Sequence, residues 1–301
     1  MKNPCVYYHW WGYDEESCLS LRSPILPSIA TLRAVSDVPI VVIDISEKSK
    51  DWMQYPERLN FTVKRSDCHL SKYKGRIDGY KHLSRIFDIK EMSDHCDVVY
   101  VDSDVFFFKD PFPLSGDTTK FCWDGWNTGF FYYNSESINL FYDIFKSYVK
   151  SAIYSTEIRQ LMKNYVGYDA WYGVWDEMVV GFMKHNHKEL FHTIPLEEHT
   201  TAKRFCENPK MFHSNGSMIK NPITNEIHAR GIAALMIEEF WININKVLKN
   251  EDIIKIFGND LVEYFENKRF SLVKKSRLLK SVCDSTGHYQ LNELNKIDLF
   301  I

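Results

Sequence analysis

Three stretches of the chain are nearly free of charge and rich in β-branched and aromatic residues. They are Val6-Tyr-Tyr-His-Trp-Trp11, running into Gly12; Val38-Pro-Ile-Val-Val-Ile-Asp-Ile45; and Asp97-Val-Val-Tyr-Val-Asp-Ser-Asp104, running on into Val105-Phe-Phe-Phe-Lys-Asp-Pro111. Runs of this kind read as strands buried on both faces, the arrangement at the centre of a parallel sheet. Phe61-Thr-Val-Lys-Arg65 is a shorter fourth. Between them the period changes to that of a helix. Residues 27–35 place apolar side chains at helical spacing, and residues 79–92 carry Tyr80, Leu83, Ile86, Phe87 and Ile89 on one stripe. Alternation of strand and helix predicts an α/β fold with a mostly parallel sheet flanked by helices.

Beyond the third strand, residues 120–129 form a turn leading into the strand Phe130-Phe-Tyr-Tyr-Asn134, and residues 137–148 are helical. Residues 173–181 open another helix, with Asp176 or Glu177 in its first turn, and Lys210-Met-Phe-His-Ser-Asn-Gly216 is a short strand closing on a polar turn. From about Leu235 the pattern is helical and more charged. The expected organisation is one α/β domain over 1–235 and a helical C-terminal extension over 236–301.

A chain of 301 residues, 45% hydrophobic and 15% aromatic, can bury a full core. Its net charge of -3 argues against general nucleic-acid binding, which needs a concentrated basic face. No apolar run approaches the roughly 18 residues of a membrane helix, and Met1-Lys-Asn-Pro-Cys does not read as a secretory leader, so a cytoplasmic protein is expected. The 7 cysteines include no C-x-x-C pair, so neither a disulfide framework nor a zinc site is suggested.

The chemistry concentrates at the strand ends. In open α/β sheets ligands bind outside the carboxyl ends of the strands, which puts Asp102 and Asp104 at the site. Two carboxylates two residues apart can share a hard divalent cation and hold it against a diphosphate. Unpaired carboxylates beside buried surface are costly without such a cation. Tyr8, His9 and Trp11, ending the first strand, can stack on a base or sugar as readily as fill a core. Asp44 ends the second strand. Arg76, Lys81 and Arg85 surround a helix N-terminus suited to phosphate.

Taken in order, Asp102-Ser-Asp104, the following Phe-x-Lys-Asp-Pro, Asn127-Thr-Gly-Phe-Phe-Tyr-Tyr-Asn134, Trp175-Asp-Glu177 and Phe212-His213 resemble the nucleotide-sugar glycosyltransferases of the GT-A fold, a Rossmann-like sheet. The resemblance covers about residues 1 to 230. It implies a transferase that uses manganese or magnesium and a nucleoside diphosphate sugar, commonly of uridine, with a carbohydrate or other hydroxyl acceptor. Asp104 then looks like the direct metal ligand, Asp102 a ligand or ribose contact with Ser103 beside it, and His213 a late ligand to the same ion. Asn127, Thr128 and Gly129 correspond to the stretch lining the donor sugar, with Trp123 and Asp124 nearby. An inverting enzyme needs a base, for which Asp176 or Glu177 is similar in position. A retaining one of family 8 needs none, but the Gly-x-x-Lys-Pro-Trp expected after His213 in that family is missing.

Two rivals stand beside this reading. A haloacid-dehalogenase-like phosphohydrolase shares the strand into Asp-x-Asp, although there that motif occupies the first strand of the domain. A non-catalytic carbohydrate-binding protein would explain the 8 Trp and 17 Tyr but not the paired carboxylates.

Overall fold

A computed structural model of the chain describes residues 3–12, 25–46, 52, 54–74, 79–123, 128–166, 175–195, 199–201, 210–213, 218–220 and 227–229. The expected extension over 236–301 lies outside the described residues. In chain order the elements are β1 (Cys5–Trp10), α1 (Ile25–Val35), β2 (Ile40–Asp44), α2 (Gln54–Leu59), β3 (Thr62–Arg65), α3 (Tyr80–Met92), β4 (Val98–Val101), β5 (Val105–Phe107), β6 (Phe121–Trp123) and β7 (Phe130–Tyr133). They continue with α4 (Ile138–Tyr154), α5 (Thr156–Val166), α6 (Asp176–Asn186), β8 (Phe191–Thr193), β9 (His199–Thr201), β10 (Met211–His213), β11 (Met218–Lys220) and β12 (Ile227–Ala229).

Seven strands make the main sheet in the order β3-β2-β1-β4-β7-β6-β8. The pairs β3·β2, β2·β1, β1·β4 and β6·β8 are parallel, and only β7 runs against its neighbours β4 and β6. The α/β reading from sequence therefore holds. The reversal between β6 and β7 is what their short connection allows: an antiparallel neighbour needs only a turn, whereas a parallel one needs a longer crossover.

Both faces of the sheet are covered. Tyr7, Tyr100, Phe121, Phe131 and Tyr133 join Leu83, Ile86 and Ile89 of α3, Phe141 and Phe145 of α4, and Met178, Val179 and Met183 of α6 in one core. Phe141 is its hub, with ring centroids 4.7 Å from Phe121, 5.3 Å from Tyr133 and 5.8 Å from Phe131. On the opposite face, Tyr8 is buried with its hydroxyl 2.9 Å from Ser28 Oγ of α1. Thr31 of the same helix accepts a hydrogen bond from the Phe107 N–H of β5 at 3.2 Å.

A second, three-stranded sheet, β5-β10-β9, grows from the end of β4. In it β10 runs antiparallel to β5, with His213 opposite Val105 and Met211 opposite Phe107. This strand pairing brings a late segment of the chain against the residues that follow Asp104. Among the described residues, no helix is long and apolar enough to cross a membrane.

Candidate active site

The main sheet strand β4 stops at Val101 because the next residue turns. The Asp102 N–H donates to the Gly129 carbonyl at 2.7 Å, and the Val105 N–H donates to the Asp102 carbonyl at 3.2 Å. The tight turn lets Asp102, Ser103 and Asp104 leave the sheet together, and β5 begins at once. Because β5 pairs with β10, His213 arrives opposite Val105 and its ring meets both carboxylates. Its Nε2 lies 3.1 Å from Asp104 Oδ1 and 3.7 Å from Asp102 Oδ2.

One ligand atom from each of Asp102, Asp104 and His213 lies within 4.8 Å of the others. Two donors on opposite sides of a magnesium ion stand about 4 Å apart, so this set closes on such an ion with small adjustments. The donors are hard oxygens and an imidazole, which suits magnesium or manganese. Space is also reserved. A Cβ added at Gly129 would lie 2.2 Å from His213 Cε1 and 2.7 Å from Asp102 Oδ2, so only glycine leaves room for the cluster.

Behind the cluster lies a second, buried network. Arg85 of α3 is 3% exposed, and its guanidinium stacks over the Tyr100 ring at 3.6 Å. One guanidinium nitrogen is ion-paired and hydrogen-bonded to Asp176 Oδ2, and another lies 3.8 Å from Asp102 Oδ1. The Thr128 hydroxyl donates to Asp176 Oδ2 at 2.5 Å, and the Tyr100 hydroxyl donates to Asp102 Oδ1. Burial alone would raise the Asp176 carboxyl, but Arg85, His82 and the Thr128 bond outweigh it and hold Asp176 below its ordinary value. Its neighbour Glu177 shows the opposite result. Burial, followed by the nearby charges of Asp176 and Asp102, pushes Glu177 up to about 8.

Three half-buried rings edge this region. Trp11 meets His82 edge-on at 4.6 Å, and His82 meets Trp175 at 4.9 Å. Trp11 follows β1, His82 lies one turn before Arg85 on α3, and Trp175 precedes α6.

Of the residues expected at the site, Asp102, Ser103, Asp104, Thr128, Gly129, Asp176 and His213 come together around β4. Four expectations find another explanation: Tyr8, Asp44, His9, and Arg85, whose guanidinium is buried against Tyr100 and Asp176 rather than open to a phosphate. Tyr8 points to the α1 face and is 0% exposed, because alternate residues of a strand face opposite sides. Asp44 is also 0% exposed. It accepts from the Ser46 N–H at 2.9 Å and Trp52 Nε1 at 3.0 Å and pairs with Arg65 at 3.3 Å, which accounts for it without a ligand. His9 faces α3, but its side chain is fully buried, with Nε2 3.9 Å from Asp88 Oδ2; burial, then Arg85, drives its pKa well below the ordinary histidine value. Lys81 is half-buried in the first turn of α3. Arg76, Asp124 and Asn127 lie outside the described residues.

Sequence reasoning passed over Tyr100 and His82. Both carried a signal: Tyr100 is two residues before Asp102 and so on the same side of the strand, and His82 is three before Arg85 on the same side of the helix.

No family profile and no curated protein matches the chain. Among solved structures, mouse xyloside xylosyltransferase 1 in its apo form is similar at 12% identity over 70% of this chain and 96% of that one, with a TM-score of 0.43. The galactosyltransferase LgtC in complex with donor and acceptor sugar analogues is similar at 11% identity over 82% and 98%, TM-score 0.48. An active-site mutant of LgtC gives 12%, 82% and 98%, TM-score 0.49. Likeness at this level carries no residue role from those proteins to this one.

Proposed function

We propose that the chain is a metal-dependent glycosyltransferase, which moves a sugar from a nucleoside diphosphate sugar, most readily one of uridine, to a hydroxyl acceptor. The observation that carries this is the meeting of Asp102, Asp104 and His213 at the carboxyl end of β4. The donor set and the room kept by Gly129 fit manganese or magnesium. When bound there, the ion supplies Lewis acidity to the leaving diphosphate.

The chain's own residues do the rest. Tyr100 and Arg85 hold Asp102 in one orientation, so the site is ordered before any ligand arrives. The Trp11, His82 and Trp175 rings offer a stacking surface for a base or a sugar ring. Lys81, with Arg76, is assigned to the diphosphate, and Asp124, Asn127 and Thr128 to the donor sugar. Asp176 is committed to Arg85 and Thr128 and so serves to fix α6. Among the described residues Glu177, beside Asp176 in the first turn of α6 and close enough to Asp102 to feel its charge, is assigned to take the proton of the acceptor hydroxyl in an inverting transfer. In a phosphohydrolase, Asp102 would be the nucleophile. Here one of its oxygens is bonded to Tyr100 and the other faces His213, which favours a ligand role.

The test is thermal unfolding of the full chain with uridine diphosphate, with and without manganese. Ligand at 100 times its Kd stabilises by about 2.7 kcal/mol, which at roughly 2–4 °C per kcal/mol is a shift of several degrees. The expected shift needs both components and is lost in Asp104→Ala. A shift with neither uridine nor any other nucleoside diphosphate would overturn the proposal.

A further inference from the structure

A groove of about 270 Å³ lies between α3, the 3-10 turn Ser71–Tyr73 and α4, apart from the carboxylate site. Its volume is near the lower end of the roughly 300–1,000 Å³ of small-molecule sites. Leu70, Ile86, Phe87, Phe145, Val149 and Ile153 give it apolar walls. On α4 the lining residues 142, 145, 146, 149, 150 and 153 recur at intervals of three and four, so one continuous stripe of that helix faces the groove.

The rim has a single sign of charge. Lys72, Lys146 and Lys150 line it with exposed side chains, and no carboxylate is among the lining residues. Lys72 Nζ sits 5.2 Å from the Tyr73 ring centroid and Lys146 Nζ 5.6 Å from that of Tyr142. Among the described residues none of the three is paired with an acid. Asp143 neighbours Tyr142 in sequence but does not line the groove. His69, stacked on Phe87 at 5.1 Å, already has Asp88 3.3 Å from its Nε2. An apolar trough bordered by uncompensated lysines is complementary to one kind of molecule, a hydrocarbon chain that ends in an anion. The chain would lie along α4 and the head would meet the lysines, where each ammonium gains a partner without leaving water.

We propose that this groove binds a single-chain anionic amphiphile, such as an alkyl or isoprenoid phosphate. The site stands independently of the transferase assignment, because none of its residues belongs to the carboxylate cluster.

The test is calorimetric titration of the full chain with dodecyl phosphate below its micelle-forming concentration. Dodecyl maltoside serves as the neutral-headed control and inorganic phosphate as the chainless one. Saturable binding of one dodecyl phosphate is expected, at least tenfold tighter than either control. The double charge reversal Lys146→Glu, Lys150→Glu should weaken it at least tenfold, and Ile153→Trp, which fills the trough, should abolish it. Both lysines are exposed, so the double variant should keep the wild-type melting temperature and remains informative even if Ile153→Trp fails to fold. Equal affinity for dodecyl maltoside, equal affinity for inorganic phosphate, no saturable binding, or binding unchanged in the charge-reversed protein would each overturn the proposal.

Discussion

Two strands of the same sheet, β2 and β4, lead into aspartates, and among the described residues only the second gathers further ligand-type side chains around its own. At the end of β2, Asp44 is surrounded by donors that the protein itself supplies: Ser46, Trp52 and Arg65. At the end of β4, Asp102 and Asp104 are turned towards each other and towards one imidazole, with 31% and 15% of their side chains exposed. The first aspartate is a closed account of hydrogen bonds. Asp102 has protein donors too, the Tyr100 hydroxyl and the Arg85 guanidinium at Oδ1, but its Oδ2 and Asp104 converge on His213, an arrangement that a cation would stabilise. Position at a strand end therefore does not by itself mark a carboxylate as a candidate ligand.

The contrast can be pressed hardest at the network behind the site. Arg85→Met should leave Asp176 buried without its partner, a loss of about 3–5 kcal/mol, read as a lowered denaturation midpoint. Removing both charges together, in Arg85→Met with Asp176→Leu, should recover much of that loss. No recovery would mean that the pair contributes net stability beyond mutual compensation.

Asp104→Ala or His213→Ala should act on function instead. Loss of a group that only orients a metal ligand costs about 10–100-fold in affinity or activity, so removing a ligand itself should cost at least about 100-fold in transfer rate; Asp104→Ala should leave the melting temperature nearly unchanged, whereas His213→Ala empties a buried site and should lower it. Asp44→Ala should do the reverse. It should strip buried Trp52 of its acceptor, cost about 1–3 kcal/mol in stability, and leave manganese-dependent nucleotide binding intact. If Asp44→Ala removed nucleotide binding in a folded protein, the division between the two strand ends would fail.

The smallest effect concerns pH. Glu177 is raised from 4.5 to about 8 by burial and by the Asp176 and Asp102 charges, so the folded state holds a proton that the unfolded chain gives up. Its contribution to stability is present below about pH 4.5 and is lost as pH rises through about 8. In metal-free protein, Glu177→Gln should therefore raise the melting temperature relative to wild type at pH 9 and make no difference at pH 4. Equal melting temperatures at both pH values would remove the electrostatic account of that residue.

Much of the fold was legible because burial writes itself into composition. β1, β2 and β4 are largely apolar runs, and the stripe over residues 79–92 gave α3 to within a residue. The carboxylate pair could be read for the same reason, since two charges at the end of such a run are conspicuous. The small sheet was only partly legible. His213 could be placed on a strand, but that β10 pairs with β5 is a long-range choice that three-residue strands do not encode locally. The same holds for Arg85 and Asp176: the sequence offers one as a phosphate contact and the other as a base, and only the packing of α6 beside α3 makes them a pair. Strand position leaves Tyr8 open between stacking and core and suggests a ligand for Asp44, because the groups that satisfy them, Ser28 and Trp52, lie elsewhere in the chain.

The most direct measurement is a manganese titration of the full chain followed by electron paramagnetic resonance, in which only free aqueous manganese gives the sharp six-line signal. Wild-type protein with uridine diphosphate should remove one manganese per chain from that signal, and Asp104→Ala and His213→Ala should each remove far less, with Asp44→Ala behaving as wild type. A folded wild-type protein that leaves all the manganese free, or an Asp104→Ala protein that binds it as well as wild type, would contradict the claim that the β4 carboxylates and His213 form a metal site.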